Sequence, residues 1–149
     1  MIRKARLQDV EAIHALINKF AGKGFLLPRS FLGIYESLRD FWVCEINKRI
    51  VACCALHITW KDLCEIRSLA VSSRVQNKGI GGDLIKIAFC EAKEMGCKSI
   101  FVLTFIPGYF KRFGFRKVSK DKLPHKIWAE CISCSKFPDC KEIALVKKL

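Results

Sequence analysis

No stretch of this 149-residue chain approaches the ~20 consecutive apolar residues that a membrane span requires. The first six residues, Met1-Ile2-Arg3-Lys4-Ala5-Arg6, are charged, and no apolar signal-peptide core follows them, which reads as a cytosolic protein with no membrane partner. Internal repeats, linkers and low-complexity tracts are also missing, and the length fits one domain over residues 1–149. Acidic residues are scarce, 14 against 27 Lys and Arg, for a net charge of +13. That imbalance implies anionic company, either nucleic acid or a phosphorylated cofactor with an acidic substrate. The hydrophobic fraction of 51% is enough for a core without a disulfide scaffold.

Cysteine, by contrast, is plentiful. Nine of them in a cytosolic chain read as reduced thiols or metal ligands rather than bridges. Cys44, Cys53, Cys54, Cys64, Cys90 and Cys97 lie inside periodic apolar segments, where a thiol behaves as a small buried hydrophobe. Cys131, Cys134 and Cys140 form a C-x2-C-x5-C pattern with His125 six residues upstream, a donor set that would complete a tetrahedral structural zinc site. Three free thiols or a redox-dependent bridge fit the same spacing. His14 and His57 have no sequence partners that suggest chemistry and read as packing or surface residues.

Along the chain, residues 2–7 read as a strand. Val10, Ile13, Leu16, Ile17 and Phe20 recur at three- and four-residue steps, which predicts a helix from about 8 to 20, stopped by Gly22 and Gly24. Ser30 is a natural N-cap for a second helix through Ile34 and Leu38. Strands at 41–46 and 50–60 are joined by a tight turn at Asn47-Lys48-Arg49, and a third at 63–71 follows the turn Lys61-Asp62. A long helix over 79–95 presents Ile80, Leu84, Ile87 and Ala88 on one face and stops at Gly96. A strand at 99–106, a short helix opened by Pro107 and closed by Gly114, and a hairpin of 127–132 with 142–147 complete the order. The expected fold class is a mixed α/β (α+β) domain.

One segment carries chemistry. Gln76-Asn77-Lys78-Gly79-Ile80-Gly81-Gly82 joins a strand to a helix, and its glycines let the backbone approach an anion without Cβ interference. The unpaired amides of the helix start would face that anion, aided by the helix dipole and by the Lys78 charge. A plain helix cap explains glycines equally well. The segment is no P-loop, since no Gly-Lys-Ser/Thr follows, and no dinucleotide G-x-G-x-x-G. A diphosphate reached by successive amides fits best.

Gln-x-x-Gly-x-Gly after a strand ending Leu69-Ala70-Val71 resembles the acetyl-CoA signature of the GNAT acetyltransferases. Tyr109-Phe110-Lys111-Arg112-Phe113-Gly114-Phe115 is similar to the next motif of that superfamily. The resemblance implies the GNAT acyl-CoA N-acyltransferase fold and acetyl-CoA as cosubstrate. It further implies that the amides of Gln76, Asn77, Lys78, Gly79, Ile80, Gly81 and Gly82 hold the CoA diphosphate, and that the backbone of Leu69, Ala70 and Val71 pairs with pantetheine. More narrowly, Gly24–Ser30 (G-F-L-L-P-R-S), Glu65–Val71 (E-I-R-S-L-A-V), 101–105 (F-V-L-T-F) and the stretch 123–142 resemble the short-form N-acetylglutamate synthases, which are amino-acid acetyltransferases. The long form carries a kinase-like regulatory domain that is not expected here, nor is the arginine feedback exerted through it.

Acetylating an amine requires removing a proton from an ammonium whose pKa is near ~8, a task for a carboxylate. Glu65, six residues before Val71, stands where several GNAT families place such a base, although an exposed strand glutamate is the plainer reading. Alternation along the strand puts Glu65, Arg67 and Leu69 on one face if no bulge intervenes. Arg67 would fork onto a substrate carboxylate or merely pair with Glu65. Arg29, on the connection that borders the acceptor pocket in these enzymes, is the second carboxylate candidate. Many GNAT enzymes place a tyrosine acid four residues before the glycine of the Gly-Phe pair. Phe110 occupies that place here, and Tyr109 beside it is turned by about 100° on a helix.

The resemblance implies acetyl transfer to the α-amino group of L-glutamate, the first step of arginine synthesis. Rivals are a GNAT enzyme for another amine (glutamine, a polyamine or a protein N-terminus) and a non-catalytic basic nucleic-acid-binding module. Against the last, and for a small-molecule partner with no nucleic acid, Lys and Arg are spread over the chain, as at Lys19, Lys48, Lys86, Lys98 and Lys147, instead of forming one face. A homodimer is compatible with the sequence.

Overall fold

The apolar periodicities become one twisted sheet with helices on both faces. The computed structural model describes residues 1–123 and 142–149. Strand β1 (Ile2–Lys4) leads through a 3-10 turn at Leu7–Asp9 into α1 (Val10–Gly22), followed by α2 (Phe31–Glu36). Strands β2 (Phe41–Ile46), β3 (Arg49–Trp60) and β4 (Leu63–Val71) form an antiparallel meander. Helix α3 (Ile80–Glu94) crosses over to β5 (Ser99–Thr104), which lies parallel to β4. Helix α4 (Pro107–Lys111), β6 (Arg116–Lys117) and β7 (Ile143–Lys148) complete the described chain. The seven strands run in the order β1-β2-β3-β4-β5-β7-β6.

Local sequence explains most of these boundaries. Asn47 and Lys48 both adopt positive φ, 50° and 62°, the two-residue geometry whose twist matches a hairpin. The Ser30 hydroxyl accepts the Gly33 amide at 3.0 Å, so it caps α2 as its type suggests. Helix α2 stops at Glu36, and Leu38–Asp40 forms a separate 3-10 turn, shorter than the expected helix through Leu38. The strand expected to reach Ile106 ends at Thr104, and the first strand ends at Lys4 instead of Leu7.

Two apolar layers sandwich the sheet. Leu84, Ile85, Ala88 and Ala92 of α3 pack on Cys54, Leu56, Cys64, Ile66, Ile100 and Val102. On the opposite face, Val10, Ile13 and Ile17 of α1 and Ile34 of α2 cover Phe41, Val43, Cys53, Ala55 and Ala70. Each fully buried aliphatic side chain contributes about 1.5–3 kcal/mol, so these layers fix the sheet against which the site is built. Burial pushes the Cys53 thiol up to about 12, in keeping with a packing role. Three cysteines depart from the reading as reduced, buried thiols: Cys64 on β4 and Cys97 ahead of β5 form a disulfide, and Cys90 is exposed. The strand expected at 127–132 and the metal candidates Cys131, Cys134, Cys140 and His125 lie outside the described residues. No group of three or more potential metal ligands occurs among the described residues. No helix among them is long and apolar enough to cross a membrane.

The pairing of β3 with β4 shifts register twice. Trp60 pairs with Leu63, but Ile58 pairs with Cys64, and the block Ala55–Ile58 then faces Cys64–Arg67. A second shift follows, because Cys53 pairs with Ala70 while Ala55 pairs with Arg67. Ser68 sits inside this second bulge with φ of 52°. A bulge reverses which face the following residues occupy and bends the strand. Both effects bear on the site.

Candidate active site

Strands β4 and β5 are paired only as far as Ile66↔Val102. Beyond that point β4 continues to Val71, still paired to β3 through Ala70 and Val71 on its other side. Its edge towards β5 is therefore open along Leu69, Ala70 and Val71, where an extended chain can hydrogen-bond as an added strand. The bulge at Ser68 bends β4 at the root of this opening.

The same bulge corrects the expected side-chain pattern. Glu65 and Arg67 share the face covered by α1 and α2, but Leu69 and Val71 pack into the α3 layer on the other side. Unbroken alternation does not extend past Arg67, because the bulge inserts one extra residue. Glu65 is buried, with 6% of its surface exposed, and its Oε1 accepts from Arg67 Nε at 2.5 Å. The carboxylate and the guanidinium thus stand together at the mouth of the opening.

At the end of the open edge lies the glycine segment. Gly79 caps α3 with φ of 85°, and the first intrahelical bond runs from the Asp83 amide to the Gly79 carbonyl at 3.0 Å. The amides of Ile80, Gly81 and Gly82 precede that bond and so lack intrahelical acceptors, and no side chain of the described residues caps the helix. Asn77 is also in the left-handed region, φ 63°, and Gln76 donates its side-chain amide to the Val71 carbonyl at 2.9 Å. Gln76 therefore ties the loop to the end of β4. Lys78 is exposed beside it.

Gly81 and Gly82 have a second reason to be glycine. A Cβ on Gly81 would stand 2.3 Å from the Tyr109 hydroxyl oxygen, and one on Gly82 would stand 3.2 Å from the Phe113 ring. Tyr109 and Phe113, four apart, lay their rings on the first turn of α3. Phe110, where many GNAT enzymes carry a tyrosine, is buried in the α3 layer, while Tyr109 is half-buried with its hydroxyl at the helix start. Burial raises the Tyr109 hydroxyl above its ordinary value, with the nearby Arg112 charge opposing the shift, so at neutral pH it remains a donor.

Arg29 lies on the connection between α1 and α2, half-buried. Sequence reasoning missed what fixes it. Asn18 on α1 donates to the Arg29 carbonyl at 2.9 Å and accepts from the Arg29 amide at 3.2 Å, a two-point clamp on that residue's backbone. His14 stacks on Phe31 with ring centroids 3.7 Å apart, which fastens the start of α2 to α1. His57 was equally silent in the sequence. In the fold its Nδ1 lies 2.7 Å from Asp40 Oδ2, and it is the cross-strand partner of Glu65.

An opening between parallel strands, ended by a helix start with unclaimed amides, is a shape for a phosphorylated chain-like ligand. The comparisons with known proteins agree. Residues 37–117 match the family described as acetyltransferase (GNAT) domain. An uncharacterized N-acetyltransferase of Chlorobaculum tepidum is 43% identical over 148 residues, covering 99% of this chain and 96% of that protein. The amino-acid acetyltransferase of Mycobacterium tuberculosis is 35% identical over 133 residues, 87% of this chain and 76% of its own. The structure of N-acetylglutamate synthase from Neisseria gonorrhoeae, complexed with coenzyme A and N-acetyl-glutamate, superposes with a TM-score of 0.91 at 29% identity. That match covers all of this chain and 35% of the gonococcal one. The chain belongs to the GNAT family of acetyltransferases.

Proposed function

We propose that this protein transfers an acetyl group from acetyl-CoA to the α-amino group of L-glutamate, in a ternary complex, as the first step of arginine synthesis. The observation that carries the reading is the buried Glu65–Arg67 pair at the root of the β4–β5 opening. A base and a carboxylate-binding cation stand side by side where a thioester held along Leu69–Val71 would end. The names of the Mycobacterium and Neisseria relatives support an amino acid as acceptor and glutamate in particular.

In this reading the amides of residues 76–82 grip the CoA diphosphate, and the open edge at Leu69, Ala70 and Val71 pairs with pantetheine. The substrate carboxylate draws Arg67 away from Glu65, since a guanidinium can fork onto either anion. Glu65, no longer paired with Arg67, takes a proton from the ammonium, directly or through water. Arg29, held by Asn18, meets the second carboxylate. The amine attacks the thioester carbonyl, and backbone amides near the end of β4 stabilise the oxyanion. Holding both reactants in one cleft supplies much of the acceleration. The thiol leaves with a pKa near ~8.5, so it needs little help, and the Tyr109 hydroxyl is the donor available to it. We read the chain as one cytosolic domain.

The test is an acceptor screen with detection of free thiol, paired with calorimetry of CoA binding. Glutamate should be the best amine. Glu65→Gln should lower turnover by about 10²-fold or more while CoA affinity stays within twofold. Turnover of a polyamine but not of glutamate would overturn the substrate, and a Glu65→Gln enzyme of unchanged rate would remove the proposed base.

A further inference from the structure

Acetylation of an ammonium leaves a proton without a destination. The C–N bond forms as the C–S bond breaks, and the nitrogen sheds two protons. One ends on the thiolate sulfur, and the other must reach solvent. Glu65 is 6% exposed, so it cannot simply hand its proton to bulk water.

Across the strand boundary stands a group suited to that task. His57 on β3 is the register partner of Glu65 on β4. Antiparallel partners point to the same face with their Cβ atoms ~4.5–5.5 Å apart, so the two side chains are neighbours on that face, within reach of one bridging water. That the partner is Glu65 and not Ile66 follows from the register shift between Ile58 and Trp60; continued in the Trp60↔Leu63 register, His57 would face Ile66. The His57 Nδ1 is bonded to Asp40 Oδ2 at 2.7 Å, which fixes the orientation of the ring. Nε2 is then the atom left to accept a proton, and among the described residues it has no hydrogen-bond partner. The His57 side chain is 34% exposed, so it has contact with solvent. Among the described residues, the titratable and charged groups facing it are Asp40 ahead of β2 and Glu65, with Arg67 beside Glu65, on β4.

We infer that Asp40 and His57 form a proton exit from Glu65, with His57 a relay and positioning residue for the acetyl transfer proposed above, on which this inference rests. The proton moves from the ammonium to the Glu65 carboxylate, from Glu65 through one water to His57 Nε2, and from His57 to bulk water. Glu65 is thereby reset for the next turnover. Asp40 holds Nδ1 and so keeps the ring in place.

The test uses the full-length enzyme with its best acceptor. His57→Gln should lower kcat by about tenfold or more, within the range of proton-transfer catalysis, with KM for both substrates and the CoA affinity within twofold. His57→Ala should regain rate in proportion to added imidazole, a response that a merely structural histidine would not give. Asp40→Asn should lower kcat in the same direction with KM unchanged, and it carries the test if His57→Ala fails to fold by circular dichroism. Wild-type rates for His57→Gln or Asp40→Asn, or a folded His57→Ala indifferent to imidazole, would overturn the relay alone. A wild-type enzyme that acetylates no amino acid would remove the underlying reading and the relay with it.

Discussion

Gly81→Ala adds a single methyl at the start of α3, and its cost is set by one atom. The new Cβ would sit 2.3 Å from the Tyr109 hydroxyl oxygen, whereas the next atoms, Tyr109 Cζ and Val71 Cγ2, are both 3.5 Å away, ordinary contact. The tyrosine is poorly placed to yield. Its ring meets Phe110 and Phe113 edge-on at 5.3 and 5.4 Å, and the Arg112 guanidinium lies 4.9 Å above it. Overpacking of this kind costs about 1–3 kcal/mol. Removing only the hydroxyl, by Tyr109→Phe, leaves nothing nearer than 3.5 Å. In that background the same Gly81→Ala should be neutral or stabilising, by up to about 1 kcal/mol, because alanine favours the helix over glycine. The sign of one substitution therefore reverses with a second. Denaturant unfolding of the four proteins measures it as a double-mutant cycle, with an expected coupling of about 1–4 kcal/mol once the packing cost and the helix gain are combined. In the Tyr109-containing pair, CoA affinity should fall with the displaced ring. An equal cost of Gly81→Ala with and without the hydroxyl would refute the close approach of α4 to α3.

Ser68 occupies the left-handed region, so Ser68→Gly should hold or raise stability while Ser68→Val lowers it by about 2 kcal/mol; thermal unfolding that ranks the two alike would mean the bulge is not there. Asn18→Ala removes both hydrogen bonds to the Arg29 backbone and should raise the acceptor KM about tenfold, the equivalent of two modest hydrogen bonds, with the acetyl-CoA KM unmoved. The Arg3 guanidinium, bonded to Asp9 at 2.7 Å, holds the Asp9 carboxyl below its ordinary value of 3.8. A lowered carboxyl contributes stability that is present above its unfolded value and is lost as pH falls through its folded one. Asp9→Asn should therefore cost about 1–2 kcal/mol at neutral pH, since Glu45 still holds Arg3 at 2.9 Å, and urea unfolding should show that gap narrowing below about pH 4; a gap constant with pH would count against the pair.

Much of the architecture was legible in residue order because its causes are local. Two strands, 41–46 and 63–71, occupy the expected spans, and Asn47-Lys48 and Ser30 act as their side chains suggest. The glycine segment likewise advertises a helix start open to an anion, and the resemblance around it pointed to the family. β6 was not legible, since two residues, Arg116 and Lys117, carry no period. Nor was the Cys64–Cys97 disulfide, whose partners are 33 residues apart and sit in segments that read as plain core.

The sequence by itself determined where chain segments extend, coil and turn, since those preferences arise from neighbouring residues and side-chain periodicity. Tertiary structure alone decided which side chains share the cleft. Two one-residue shifts between β3 and β4 move Leu69 away from Glu65 and bring His57 to it, and neither shift has a glycine or proline to announce it. Alternation has period two, so one inserted residue reverses every facing beyond it. That choice is made by the packing of two layers on opposite sides of the sheet.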